Sequence, residues 1–242
     1  MTRLDPRLLL EGYATGIFPM ADSREAEDLF WVEPRNRAII PLERFHVSKS
    51  LRRTIRSGLF EVTRDRDFAA VIQACADREE TWINGELERA MLTLHGSGNA
   101  HSIEIWHEGE LAGGLYGVKL GRAFFGESMF SRVTDASKVA LAWLVARLKS
   151  GNFTLLDCQF MTEHLASLGA IDVTRETYVA LLASALGGPA GLTGAAAGGA
   201  LVPAPGAPPD FAALDRLLEV TGAAGAAGPA GYVISQLLGQ TS

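Results

Sequence analysis

Two carboxylates stand where a carboxylate is costly. Glu127 lies in FFGESMFS and Asp157 in LLDCQF, both otherwise apolar stretches. A carboxylate removed from water must be paired, hydrogen-bonded or used chemically. Gly126 permits close backbone approach at Glu127, and Phe124, Phe125, Met129 and Phe130 are expected to wall an apolar pocket around it. Such a group can receive a ligand's ammonium through a charge-assisted bond. The alternative is a strand residue turned to solvent, or paired with Arg132 or Lys138. Strand alternation puts Phe125, Glu127 and Met129 on one face, which weakens a simple apolar-inside pattern. Asp157 and Gln159 also share a strand face, so an acceptor and an amide can converge on one group. The alternative there is a strand end satisfying loop amides. Cys158 points to the opposite face, and nothing brings His164 to it, so a structural thiol is expected.

Other candidates are aromatic or basic. Trp31 and Trp82 are the tryptophans expected to matter outside the core. Trp82 sits among polar residues in EETWIN, where a purine can stack on it; a ring covering an apolar patch is the alternative. His101 and His164 stand alone and fit hydrogen bonding better than metal ligation. The two cysteines, Cys75 and Cys158, have no CxxC spacing, which fits a reduced, cytoplasmic compartment and no zinc site. Net charge is −6, yet residues 35–66 hold nine Lys/Arg against three acids, leaving −12 elsewhere. That asymmetry fits a basic surface for a polyanion, with a merely solvated face as the alternative. Phosphate-binding loops, nucleophile elbows and HExxH are absent. No run of about 18 apolar residues suggests a membrane span, and the N-terminus lacks the apolar core of a signal peptide.

The elements that must position these residues follow from local signals. Asp5-Pro6 opens a helix that Gly16 closes, and Ser48 caps the basic helix KSLRRTIRSG. FWVEPRNRAIIPL, with two prolines, is expected to be extended or an edge strand. LFEVTRD predicts a strand, FAAVIQACADR a helix, and residues 86–95 another helix. A three-stranded meander follows, in which Ile103 and Ile105 alternate with polar residues as in a half-buried strand. Asp135 is expected to cap the helix that Gly151 ends, FTLLDCQF to be a central strand, and Thr162 and Thr174 to start two further helices. Residues 187–242, rich in Ala, Gly and Pro, predict a flexible tail with a possible short helix at 210–220. The fold expected is a mixed α/β (α+β) protein: a small basic N-terminal domain over 1–60, then a catalytic domain over 61–186.

GIFPM, FHVSKSLRR, ADREETWI, LHGSGNAHSIEIW, LAGGLYGV, FFGESMFS, ASKVAL and LLDCQ followed by HLASLGA occur in order. From about residue 5 to residue 180 the chain resembles the bacterial leucyl/phenylalanyl-tRNA–protein transferases. The resemblance implies a GNAT-like acyltransferase domain with a largely antiparallel sheet. It implies transfer of Leu, Phe or Met from aminoacyl-tRNA to an N-terminal Arg or Lys of an acceptor protein, marking that protein for degradation. No cofactor, metal or covalent enzyme intermediate is implied, and a monomer is expected. By resemblance, Glu127 binds the donor's α-amino group, and Asp157 and Gln159 orient and help deprotonate the attacking amine. Leu115, Phe124, Met129, Leu141, Leu144 and Leu156 take the positions of the side-chain pocket, and Trp82 that of the adenosine contact. Met20 stands where some relatives carry Trp, so it covers a base less specifically. Lys49, Arg52, Arg53 and Arg56 are the expected tRNA contacts. The competing readings are an acyl-CoA N-acyltransferase and a non-catalytic tRNA-binding protein. The first wants a Gly-rich pyrophosphate loop where this chain has SRVTDASK; the second leaves the two carboxylates without a purpose.

Overall fold

The computed structural model describes residues 4–187, 207–223 and 227–239. Caps visible in the sequence set many element ends. Asp5 accepts from the Arg7 amide, Pro6 occupies the first turn, and α1 (Pro6–Thr15) stops at Gly16, which adopts φ 85°. β1 (Phe18–Met20) and β2 (Phe30–Val32) form a small antiparallel pair. After β3 (Asn36–Ile39), Ser48 caps α2 (Lys49–Arg56) through the Leu51 amide. β4 (Glu61–Arg64), α3 (Phe68–Ala76) and α4 (Gly85–Gly96) lead to the meander β5 (Ala100–His107), β6 (Glu110–Leu120) and β7 (Ala123–Ser131). Then come α5 (Ala136–Ser150), β8 (Leu155–Gln159), α6 (Glu163–Ser167), β9 (Ile171–Thr174) and α7 (Arg175–Ala185). Thr162 and Thr174 cap α6 and α7 as expected. Further along the chain lie α8 (Ala213–Val220) and α9 (Ala227–Gly239).

The main sheet has seven strands in the order β4-β5-β6-β7-β8-β3-β9. Neighbours are antiparallel except the parallel pair β7–β8. Helices cover both faces. On one, Ile103, Ile105, Leu115, Phe124 and Leu156 join residues of α2, α5, α8 and α9 in a single apolar cluster. On the other, Ala100, Tyr116, Val118, Phe125 and Leu155 pack with residues of α1, α3, α4 and α7. The fold is therefore mixed α/β with a largely antiparallel sheet.

Several expectations change. β3 is extended as expected but is no edge strand: its prolines flank it, and it lies between β8 and β9, with a register shift against β8 between Ala38 and Ile39. It also draws residues 36–39 into the main sheet. β5 is covered on both faces rather than half-buried; Glu104 is fully buried and accepts from Ser102 Oγ (2.5 Å) and Thr63 Oγ1 (2.6 Å). Asp135 adopts φ 68° before α5 and makes no side-chain cap; its carboxylate takes Lys138 Nζ at 2.9 Å instead. The expected tail lies partly outside the described residues. Its remainder is helical and docked: Phe211, Leu214, Leu218, Ile234 and Leu238 are buried in the α5-side cluster. The i, i+3, i+7 spacing of Phe211, Leu214 and Leu218 is the apolar stripe of the short helix expected at 210–220.

Candidate active site

A β-bulge and a parting of strands create the site. Gly117 pairs with Gly126 and Tyr116 with Ser128, so Glu127 is the extra, bulged residue. The bulge breaks the alternation expected across Phe125, Glu127 and Met129. Phe125 packs on the α1 side and Met129 on the α5 side. β7 and β8 pair only from Ala123–Leu155 to Phe125–Asp157; β7 then runs on to Ser131 while β8 ends at Gln159. Glu127 and Gln159 face each other where the strands part, joined by a 2.8 Å bond from Gln159 Nε2 to Glu127 Oε1.

Asp157 is engaged on all sides. Arg37 grips it through Nε (2.9 Å) and Nη2 (2.6 Å), Tyr178 donates its hydroxyl (2.7 Å), and the Gln159 amide donates to Oδ1 (2.8 Å). Those four donors fill the lone-pair sites of a carboxylate, and Asp157 is wholly buried. Burial alone would lower the pKa of Arg37, but the hydrogen bonds and charge of Asp157 more than reverse it. The guanidinium also lies against the rings of Phe18 and Tyr178. The arrangement gives Asp157 no lone pair for an incoming amine. What it does is hold Gln159 at φ 63°, a left-handed conformation that aims the amide at Glu127.

Glu127 sits otherwise. Burial pushes its pKa up to about 7; nearby Tyr13 and Gln159 oppose the rise, and the Asp157 charge adds to it. The fully buried Tyr13 hydroxyl is close enough to matter yet meets hydrogen-bond geometry with no described group. Its own pKa is raised, by burial first and then by Glu127. The Cys158 thiol is pushed far up by burial and by Asp157, which disqualifies it as a nucleophile at neutral pH. Among the described residues no group of His, Cys, Asp and Glu is arranged to hold a metal ion.

The apolar candidates lie on the other side of the sheet. Leu115, Phe124, Leu141, Leu144 and Leu156 are buried together in the α5-side cluster, with Met129 partly buried against it. Leu115 pairs across the ladder with Met129, and Phe124 with Leu156. The segments of Trp82 and Met20 run side by side: the Ala21 amide donates to the Trp82 carbonyl at 3.1 Å. Arg78, not singled out by its sequence context, links Trp82 to β7. Its guanidinium lies 5.4 Å from the Trp82 ring and donates to Ser128 Oγ (2.9 Å) and to the Met129 carbonyl (3.2 Å). A polar depression of about 680 Å³ beside it is lined by Arg24, Gln73, Asp77 and Arg78, not by Glu127 or Gln159.

On α2, Leu51 and Ile55 are buried while Lys49 and Arg53 are exposed. Arg52 is half-buried, and Arg56 lies over the Tyr232 ring at 5.1 Å. The basic stretch is also less free than its count suggests. Arg37 belongs to Asp157, Arg64 to Asp215 and Arg66 to Glu61. Arg37, Tyr13 and Tyr178 escaped the sequence reading. An arginine inside the apolar strand NRAII was the one available signal for the first.

Residues 39–183 match the family model for leucyl/phenylalanyl-tRNA protein transferase, and residues 2–35 that for its N-terminal domain. A leucyl/phenylalanyl-tRNA–protein transferase of Rhizorhabdus wittichii is 57% identical over 249 residues, covering 100% of both chains. One from Zymomonas mobilis is 63% identical over 76% of this chain and 70% of its own. Another, from Cereibacter sphaeroides, is 59% identical over 78% and 89%. The solved structure of L-PGS from Bacillus licheniformis covers 62% of this chain and 51% of its own, at a TM-score of 0.36 and 14% identity, too slight a likeness to argue from. With both family models matched in order and full-length identity above half, the chain belongs to the leucyl/phenylalanyl-tRNA–protein transferase family.

Proposed function

We propose that this chain transfers Leu, Phe or Met from aminoacyl-tRNA to an N-terminal Arg or Lys of an acceptor protein, marking it for degradation. The observation that carries the reading is the Glu127–Gln159 pair set where β7 and β8 part, with an apolar cluster behind it. Ionised Glu127 holds the donor's α-ammonium, and the buried Tyr13 hydroxyl supplies a further polar contact at the same place. The donor's side chain passes between the strands toward Leu115, Met129, Leu141, Leu144, Leu156 and Phe124. Trp82, with Met20 beside it, covers the terminal adenosine, and Lys49, Arg52 and Arg53 meet phosphates.

The aminoacyl ester is already activated, so a neutral amine can attack it without a cofactor, and positioning supplies much of the rate. The new C–N bond forms as the bond to the ribose oxygen breaks, and the amine's proton ends on that oxygen. Gln159 Nε2 is committed to Glu127, which leaves its amide oxygen to accept an N–H of the incoming amine. Asp157 acts through Gln159: with its acceptor sites filled, it positions the amide and does not take the proton itself.

The test is transfer of labelled leucine from Leu-tRNA to a protein bearing N-terminal Arg, with Ile-tRNA and acetyl-CoA as the other arms. Transfer of leucine without CoA is expected, with Leu exceeding Ile by about tenfold or more, since a β-branch is stiff where the pocket narrows. Acetyl transfer, or tRNA binding without transfer, would overturn the reading.

A further inference from the structure

Phe211 lies beyond the family match, which ends at residue 183. Even so, it is 4% exposed and deep in the α5-side cluster. Its ring stacks on Phe124, with centroids 5.5 Å apart and planes 4° apart. It meets Phe153 edge-on at 6.0 Å and stacks on His101 at 4.2 Å. Its backbone is pinned as well. Arg147, 3% exposed, donates to the Phe211 carbonyl at 2.7 Å and binds both carboxylate oxygens of Asp215, at 2.8 and 2.5 Å. A buried arginine held this way does not move cheaply.

Phe124 is fixed from its own side too, because its ring lies over Gly117, where any Cβ would overlap it. It stands three residues along β7 from Glu127, about 10 Å at the rise of a strand. That is the scale of an extended amino acid measured from its ammonium group to the tip of a long side chain. Phe124 is thus the floor of the proposed pocket, and Phe211 is the layer beneath the floor.

We infer that Phe211, supplied by the C-terminal segment, sets the depth of the amino-acid pocket and so the choice between leucine and the longer phenylalanine. The inference rests on the proposed function and on Phe124 lining the pocket. Removing volume under Phe124 lets that ring settle, and depth gained there benefits the longer side chain alone.

The experiment compares kcat/KM for Phe-tRNA and Leu-tRNA in the full-length wild type, Phe211→Leu, Phe211→Ala and, as control, Leu214→Ala. Leu214 is fully buried in the same cluster but one turn away from these ring contacts. Both Phe211 variants are expected to raise the Phe:Leu ratio by roughly three- to tenfold, the range of a methylene-scale change in an apolar pocket. Leu214→Ala should lower the melting temperature with the ratio unchanged. Phe211→Leu keeps most of the apolar volume, so the comparison survives if the alanine variant fails to fold. An unchanged ratio in Phe211→Leu, or an equal shift in Leu214→Ala, would overturn the inference while leaving the transferase reading intact. Absence of leucine transfer by the wild type would instead overturn the reading beneath it.

Discussion

Glu127 and Asp157 are thirty residues apart in sequence and meet across the two strands, yet their surroundings set them to different tasks. Asp157 is gripped by Arg37, whereas Glu127 has one amide donor and a pKa pushed up to about 7 by burial. The sign of the consequence is fixed. A carboxyl whose folded pKa exceeds its unfolded value favours folding while it is protonated, and that advantage is lost as pH rises from about 4.5 toward 7. Glu127→Gln should therefore flatten the fall in stability over that window and leave the variant more stable at pH 8, by about 3 kcal/mol at most. Denaturant unfolding at pH 5 and pH 8 measures it. Function should move the other way. Replacing a carboxylate–ammonium contact by a neutral one costs about 1.5–3 kcal/mol of donor binding. The wild type should also bind donor more tightly as pH rises through about 7, a dependence the variant lacks. An unchanged donor-concentration profile in a folded Glu127→Gln would remove this residue from the site.

At the scale of elements, the basic helix α2 shows how packing edits a charge pattern. Its buried residues Leu51 and Ile55 face α5 and α9, and Gly231 of α9 sits so near the Ile55 carbonyl that no side chain fits between. That close approach puts Tyr232 under Arg56, while Lys49 and Arg53 are exposed and Arg52 half-buried. Neutralising Arg52 and Arg53 together should weaken binding of Leu-tRNA and Phe-tRNA alike. It should reduce the log–log salt slope by about 0.7–0.9 per lost phosphate contact. Filter binding across a salt series checks this. Wild-type affinity and slope in the double variant would make α2 a solvated face only. Trp82→Ala is expected to weaken binding with the slope unchanged, because stacking releases no counterions.

At the largest scale, the seven-stranded sheet lies between two helical layers, and the C-terminal helices complete one layer. Phe211, Leu214, Leu218, Ile234 and Leu238 are each under 9% exposed. At about 1.5–3 kcal/mol per buried side chain, the five contribute roughly 8–15 kcal/mol. That matches the whole net stability of a typical domain, about 5–15 kcal/mol. A chain ending at Gly187 should therefore lose its cooperative unfolding transition and bind an apolar dye. Near-UV dichroism and denaturant titration test this, and a sharp transition in the truncated chain would show that α8 and α9 are ornaments on an independent core.

What the sequence determined by itself was local or carried by contiguous motifs. Asp5, Ser48, Thr162 and Thr174 announced helix starts because a cap acts on amides two or three residues away. Glu127, Asp157 and Gln159 stood out because charge and amide in apolar strands have a cost that shows in the residue string. The tertiary structure decided everything that depends on distant pairing. Arg37 reaches Asp157 across 120 positions, and that contact occupies acceptor sites whose partner the residue string does not name. The bulge at Glu127 separates it from the face of Met129, and no alternation rule foresees an inserted residue. In the C-terminal segment the apolar spacing of a short helix at 210–220 is legible, but the docking of Phe211, Leu214, Leu218, Ile234 and Leu238 in the core is decided only by the assembled fold. Short-range hydrogen bonds are written in neighbouring residues; register, partner and depth are properties of the assembled sheet.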